Sequence, residues 1–192
     1  MKKKKIKKIN VNFFTGKRGG FSHFVPILKE IEFSKKIDYK IIVADMHLSP
    51  FFGNTVDELK NYTKKLILLD QIKNKDTISN RLTVISKTII SMSKIFKNKK
   101  PDFLFLLGDR AEVLGAAIAA MHFNIPIIHM YGGDITQGGV DESTRHAITK
   151  IANLHLTSNK QSYKNVLKMG EEKWRVFNIG LSSLELFKKN FF

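Results

Sequence analysis

The sequence predicts a doubly wound α/β domain with a mostly parallel sheet, and three observations carry that prediction. Strand-length apolar runs alternate with segments of helical period along the whole chain. The run DFLFLLGD, residues 102–109, is apolar on both faces, as a strand buried within a parallel sheet must be. The unusual polar clusters all follow strands, and ligands of open α/β sheets bind beyond the carboxyl ends of the strands.

The elements follow in order. IKKINVNFF (6–14) reads as a first strand that ends at TGKRGG. SHFVPILKEIEF (22–33) reads as a helix, with Ser22 as N-cap and Pro26 in the first turn, where its missing N–H is tolerated. YKIIVAD (39–45) is a second strand and KKLILLD (64–70) a third. Residues 77–96 form a long amphipathic helix, because Ile85, Ile89, Met92 and Phe96 recur at spacings of three and four. After DFLFLLGD comes EVLGAAIAAMHF (112–123), a helix of small residues that can lie close on the sheet. IPIIHMY (125–131) is a buried strand, DESTRHAITKIA (141–152) a helix and LHLTSN (154–159) a strand. KQSYKNVLKMG (160–170) is a helix stopped by Gly170, and WRVFNIG (174–180) is the last strand. About seven strands are therefore expected, within one domain of ordinary size.

Composition narrows the classes. No apolar run approaches the roughly 20 residues that span a bilayer. The N-terminus is a lysine run without a signal peptide's apolar region, so a cytoplasmic protein with no membrane partner is expected. Cysteine is absent, which excludes disulfides and thiolate metal sites. Of the 33 basic residues behind the net charge of +16, six are lysines within residues 1–8. There is no aromatic–basic RNA motif, zinc finger or basic helix, so nucleic acid is not read as the main ligand. An anionic small molecule suits a basic protein equally well.

The polar clusters are TGKRGG after the first strand, DMHLS after the second, GDRAE after the fourth, GGD after the fifth and TSN after the sixth. Arg18 offers a bidentate fork at a helix start, which suits an anion. His47 reads equally as a ligand contact or an ordinary loop histidine. Asp109 ends an apolar strand, where it either caps the next helix or has its pKa raised by burial for acid–base work. Asp141 and Glu142 open a helix, where capping is as good a reading as catalysis. Asp141–Arg145 and Glu142–His146 are both i,i+4 pairs. The pairs Gly132–Gly133 and Gly138–Gly139 let backbone approach a ligand or turn with positive φ. A sugar fits such a loop: it needs close backbone, partners for its hydroxyls, and carboxylates at the reacting carbon.

In order along the chain stand TGKR (15–18), HLS…GNT (47–55), GDRAE (108–112), HMYGGDITQGGVDESTRHAITK (129–150) and VFNIG (176–180). Together they resemble the UDP-N-acetylglucosamine 2-epimerase family, most of all its hydrolysing branch, which serves sialic and legionaminic acid synthesis. The resemblance covers nearly the whole chain. It implies a Rossmann-like domain of a glycosyltransferase-B-type two-domain fold, with the UDP-sugar in the cleft between domains. It implies elimination of UDP across C1–C2 to a glycal, then addition of water with inversion at C2. Asp109 and Asp141 match the family's catalytic candidates, and Arg18 matches an arginine that contacts the nucleotide. Arg110 and Glu112 of GDRAE, with His47, Gly132 and Gly133, are expected around the substrate. Glu142, Arg145 and His146 are expected to position sugar and leaving group. No metal or redox cofactor is implied.

Three departures accompany the resemblance. Some members have Glu where this chain has Tyr131, which would move one carboxylate role, with Asp134 as the candidate. An acid common after the first-loop arginine is replaced at Gly20. Residues 1–180 are read as the N-terminal domain and 181–192 as the start of an interdomain linker, with the second domain or a partner chain expected to supply the other wall. Alone, such a half is expected to be inactive and to self-associate. The rival reading is a non-catalytic sugar-nucleotide or polyanion-binding domain on the same fold.

Overall fold

The computed structural model describes residues 7–69, 77–137 and 139–185. The first lysines, Asp70, Gly138 and residues 186–192, on which parts of the sequence reading fall, lie outside the described residues. Among the described residues, seven strands alternate with six helices: β1 Ile9–Thr15, α1 Arg18–Phe33, β2 Ile37–Val43, α2 Val56–Tyr62, β3 Leu66–Leu68, α3 Ile78–Asn98, β4 Phe103–Leu107, α4 Ala111–His122, β5 Ile127–Met130, α5 Asp141–Ile151, β6 Leu154–Thr157, α6 Lys160–Lys168 and β7 Val176–Asn178.

All seven strands are parallel in a single sheet of order β3-β2-β1-β4-β5-β6-β7. The register is set by apolar pairs such as Phe13 with both Ile41 and Phe105, and Leu104 with Ile127. The order reverses between β1 and β4, so the loops after these two strands lie side by side and open a crevice at the carboxyl rim.

Both sheet faces are covered, which is why the central strands are apolar without alternation. On one face Phe14, Ile42, Leu104 and Leu106 meet Met92 and Phe96 of α3, the alanines of α4 and Ile148 of α5. On the other, Phe13, Ile41 and Phe105 meet Phe21, Phe24 and Leu28 of α1 and Leu59 of α2. Phe13 and Phe105 stack with centroids 4.8 Å apart. The buried stripe of α3 is Val84, Thr88, Met92 and Phe96, one residue every turn. Thr77 caps that helix by accepting from the Asn80 N–H, and Gly170 ends α6 with φ +87°.

Two local expectations are corrected. Helix α1 begins at Arg18, straight after a two-residue turn, so Ser22 is not its cap and Pro26 lies in its interior. The Ser22 hydroxyl instead donates to the Gly19 carbonyl at 2.9 Å. The second correction is an addition: α2 was not anticipated, being seven residues long and too short to show a helical period.

Candidate functional site

Strand polarity puts every expected cluster on one rim, because a parallel sheet presents all its carboxyl ends together. Arg18 follows β1, His47 follows β2, Asp109 follows β4, and Asp134 and Asp141 lie between β5 and α5. A groove of about 550 Å³ opens there, with Lys17, Asp109, Arg110, Asp141 and Thr144 along it and Ile78, Leu82 and Ile85 of α3 as an aliphatic wall.

Asp109 is held by Arg145, whose Nη2 donates to its Oδ2. The same guanidinium donates through Nη1 to the Asp134 carbonyl at 2.6 Å and the Thr136 hydroxyl at 3.0 Å. Arg145 is 7% exposed, so this fork is fixed by packing as well as by hydrogen bonds. The expected Asp141–Arg145 pair therefore does not form: the guanidinium reaches toward β4 and leaves Asp141 alone. Asp141 is exposed at the first residue of α5 and makes no hydrogen bond or ion pair among the described residues. Val140, not Asp141, is the N-cap, and no side chain caps this helix. The other i,i+4 pair does form, with His146 Nε2 3.7 Å from Glu142, while Glu142 Oε2 also accepts from the Thr136 N–H at 2.8 Å.

Several expected ligand contacts turn inward instead. His47 is fully buried, with Nε2 3.0 Å from the Thr15 hydroxyl and Nδ1 2.8 Å from that of Thr55. Burial pushes its pKa down to about 4. Arg110 bridges Asp45 at 2.7 Å and Glu112, tying the loop after β2 to the start of α4. Glu112 is 1% exposed and lies under Gly16, where an added Cβ would come within 2.1 Å of its carboxylate. Burial raises the Glu112 pKa against the pull of Arg110. Asp134 directs Oδ1 at the hydroxyls of Ser158, 2.8 Å away, and Ser162, which fastens its loop to the start of α6. Arg18 is exposed and pairs with Glu58 at 3.0 Å.

The Gly132–Gly133 pair also has an internal reason. A Cβ on Gly132 would lie 2.7 Å from the Thr149 hydroxyl and 3.1 Å from His129 Nδ1. Gly133 has φ +82°, and its Cβ would lie 2.3 Å from the Ser162 carbonyl. The close approach inferred from sequence is thus to this protein's own backbone and side chains. His129, on β5, is fully buried beneath the loops. Its Nε2 meets the Gly108 carbonyl at 2.8 Å, and a carbonyl can only accept, so Nε2 carries the proton. Burial lowers its pKa to about 4, so the ring is neutral, and Nδ1 lies 3.2 Å from the Thr149 hydroxyl, which donates to the Arg145 carbonyl at 2.9 Å. No group of His, Asp or Glu suited to a metal ion occurs among the described residues, and none of their helices is long and apolar enough to cross a membrane.

The family model for UDP-N-acetylglucosamine 2-epimerase matches residues 29–190. The chain is 35% identical over 175 residues to the UDP-N,N'-diacetylbacillosamine 2-epimerase (hydrolyzing) of Legionella pneumophila, covering 90% of this chain and 46% of that protein. It is 39% identical over 166 residues to the GDP/UDP-N,N'-diacetylbacillosamine 2-epimerase (hydrolyzing) of Campylobacter jejuni, covering 84% and 42%. The chain thus spans a little under half the length of these relatives. Among solved structures, the UDP-GlcNAc 2-epimerase from Neisseria meningitidis bound to UDP-GlcNAc superposes with a TM-score of 0.79 at 19% identity, over 95% of this chain and 51% of that one. That likeness is one of fold, and the fold is half of a glycosyltransferase-B arrangement. With a motif-bearing rim on a seven-stranded parallel sheet and a family model that spans most of its length, the chain belongs to the UDP-N-acetylglucosamine 2-epimerase family.

Proposed function

We propose that this domain is the N-terminal wall of a hydrolysing UDP-sugar 2-epimerase, acting on UDP-N-acetylglucosamine or its 4-acetamido-4,6-dideoxy relative. The carrying observation is that Asp109 and Asp141, from different elements, line one groove together with Lys17 and Arg110. The reaction needs a base at the C2 proton and support for the charge that leaves with the diphosphate when the C1–O bond breaks. Water then adds to the glycal, hydroxyl at C1 and hydrogen at C2 from the opposite face. Asp109, oriented by Arg145, suits the group that must meet a carbon-bound proton. Asp141, unpaired at a helix N-terminus, suits exchange of protons with the leaving oxygen or the incoming water. Lys17 supplies positive charge for phosphates in the groove, beside Arg110, whose charge is shared with Asp45 and Glu112, and Arg18 joins them on release from Glu58. Asp134, His47, Glu112, Gly132 and Gly133 shape the rim from behind, while Glu142 and His146 pair with each other on α5. The names of the relatives support the sugar class and a place in nonulosonic acid synthesis.

The test is a titration of the 15N-labelled chain with UDP-N-acetylglucosamine and with its diacetamido relative. Shifts are expected at residues 17–20, 109–111 and 141–144. A response equal for inorganic polyphosphate, indifferent to the uridine and acetamido groups and steeply weakened by salt, would replace this reading with nonspecific anion binding.

A further inference from the structure

Tyr131 directly follows β5 with φ +65°, a conformation that non-glycine residues rarely adopt and that persists only where the surroundings impose it. Its ring is buried against His23 of α1, edge to face, with centroids 4.9 Å apart. Its hydroxyl is a three-way junction. The Ser182 N–H donates to it at 2.9 Å, and His23 Nδ1 lies 3.1 Å away. The Ser182 hydroxyl, 3.1 Å from the phenol oxygen, donates to the His23 carbonyl at 2.7 Å. Burial, helped by Lys17, lowers the His23 pKa, so the neutral ring can accept the phenol proton. One side chain thereby joins the end of β5, helix α1 and the segment after β7.

From Tyr131 the backbone passes through the two glycines to Asp134 and Thr136, which hold Arg145 and through it Asp109. We propose that Tyr131 is a positioning residue that couples the segment after β7 to the Arg145–Asp109 pair. The segment's position sets the phenol, the phenol sets the start of the loop, and the loop carries two of the acceptors on Arg145. Asp134 is separately fastened to Ser158 and Ser162, so the coupling depends on whether that second anchor alone can hold the loop. The proposal rests on the functional reading only in treating Asp109 as the reacting group, and the experiment reads the side chains without turnover.

Tyr131→Phe deletes the hydroxyl and keeps the ring. Ser182→Pro deletes the N–H and hydroxyl of the partner and leaves Tyr131 intact, which covers the case in which the first variant folds poorly. Amide and guanidinium hydrogen exchange is followed by NMR on the whole chain, with Ser86→Ala on α3 as a remote control. Exchange at Ser182 should rise about 5- to 10-fold in Tyr131→Phe, the size of one net hydrogen bond. In both variants the Arg145 side-chain protons should exchange several-fold faster, and in the control they should not. Faster exchange at Ser182 with Arg145 unchanged would reduce Tyr131 to a local clasp and overturn the coupling. Unchanged exchange at Ser182 would overturn the clasp itself.

Discussion

Gly132 and Gly133 are adjacent, yet the chain holds them for different reasons. The first is crowded by side-chain atoms alone, the Thr149 hydroxyl and the His129 ring, so an added Cβ displaces no backbone. The second is crowded by the Ser162 backbone and sits at positive φ as well. Gly132→Ala should therefore cost about 1 kcal/mol and Gly133→Ala about 3 kcal/mol or more in urea unfolding. Equal costs would contradict this account. The two buried histidines make a second residue-scale prediction. His47 and His129 fall from 6.5 to about 4 on folding, so protonation favours the unfolded chain. Their contribution is complete above pH 6.5 and is lost as pH falls toward 4, on the order of a few kcal/mol together. Unfolding free energy measured from pH 7 to pH 4 should drop across that window, and His47→Gln should flatten part of the slope. For the carboxylates, Asp109→Asn and Asp141→Asn, each with the rest of a relative's length supplied by fusion or as a second chain, should slow UDP release by about 10²-fold or more. A variant that keeps near-full rate would mark its residue as structural. At this scale the sequence singled these residues out but did not show which way they faced. Nothing in GDRAE says that Glu112 is buried under Gly16 or that Arg145 reaches Asp109 rather than Asp141, because both depend on which loops the sheet order brings together.

The elements were more legible, for a physical reason. A central parallel strand must be apolar on both faces, so DFLFLLGD and IPIIHMY announced β4 and β5 without any neighbour being known. Long helices show their period, as α3 does. Short or strained elements do not: α2 turns just Val56, Leu59 and Tyr62 inward, and α1 begins a turn before Ser22 because β1 runs into it through two residues. Also invisible was the ionic knot that binds β6, α5 and the approach to β7. Glu171, 4% exposed, accepts from Lys150 at 2.5 Å and Arg175 at 2.6 Å and contacts His155 at 3.1 Å. Two of these partners are themselves largely withdrawn from solvent, so removing the carboxylate strands positive charge and an imidazole. Glu171→Ala should cost about 3 kcal/mol or more, the scale of breaking a buried pair. A loss under about 1 kcal/mol would mean that water reaches the knot and screens it.

At the scale of the molecule, the groove is open to water. The aliphatic residues Ile78, Leu82 and Val140 beside it are each more than half exposed. A sugar bound there stays in contact with water, which dilutes the field of the carboxylates. These 192 residues, a little under half the length of their relatives, should therefore release no UDP from either candidate substrate. Sustained turnover, read by free UDP and the 2-epimeric sugar, would mean that self-association closes the site or that an open groove suffices. The strand order has one more consequence, for synthesis on the ribosome. Strand β1 emerges first and lies near the middle of the sheet, yet its partner β4 is made some 90 residues later. Until residue 107 has left the exit tunnel, Phe13 and its neighbours present an open row of amides and carbonyls with nothing to complete it. The nascent chain is thus most exposed to sticking between the synthesis of β1 and that of β4, and slow elongation there favours escape to chaperones over productive closure.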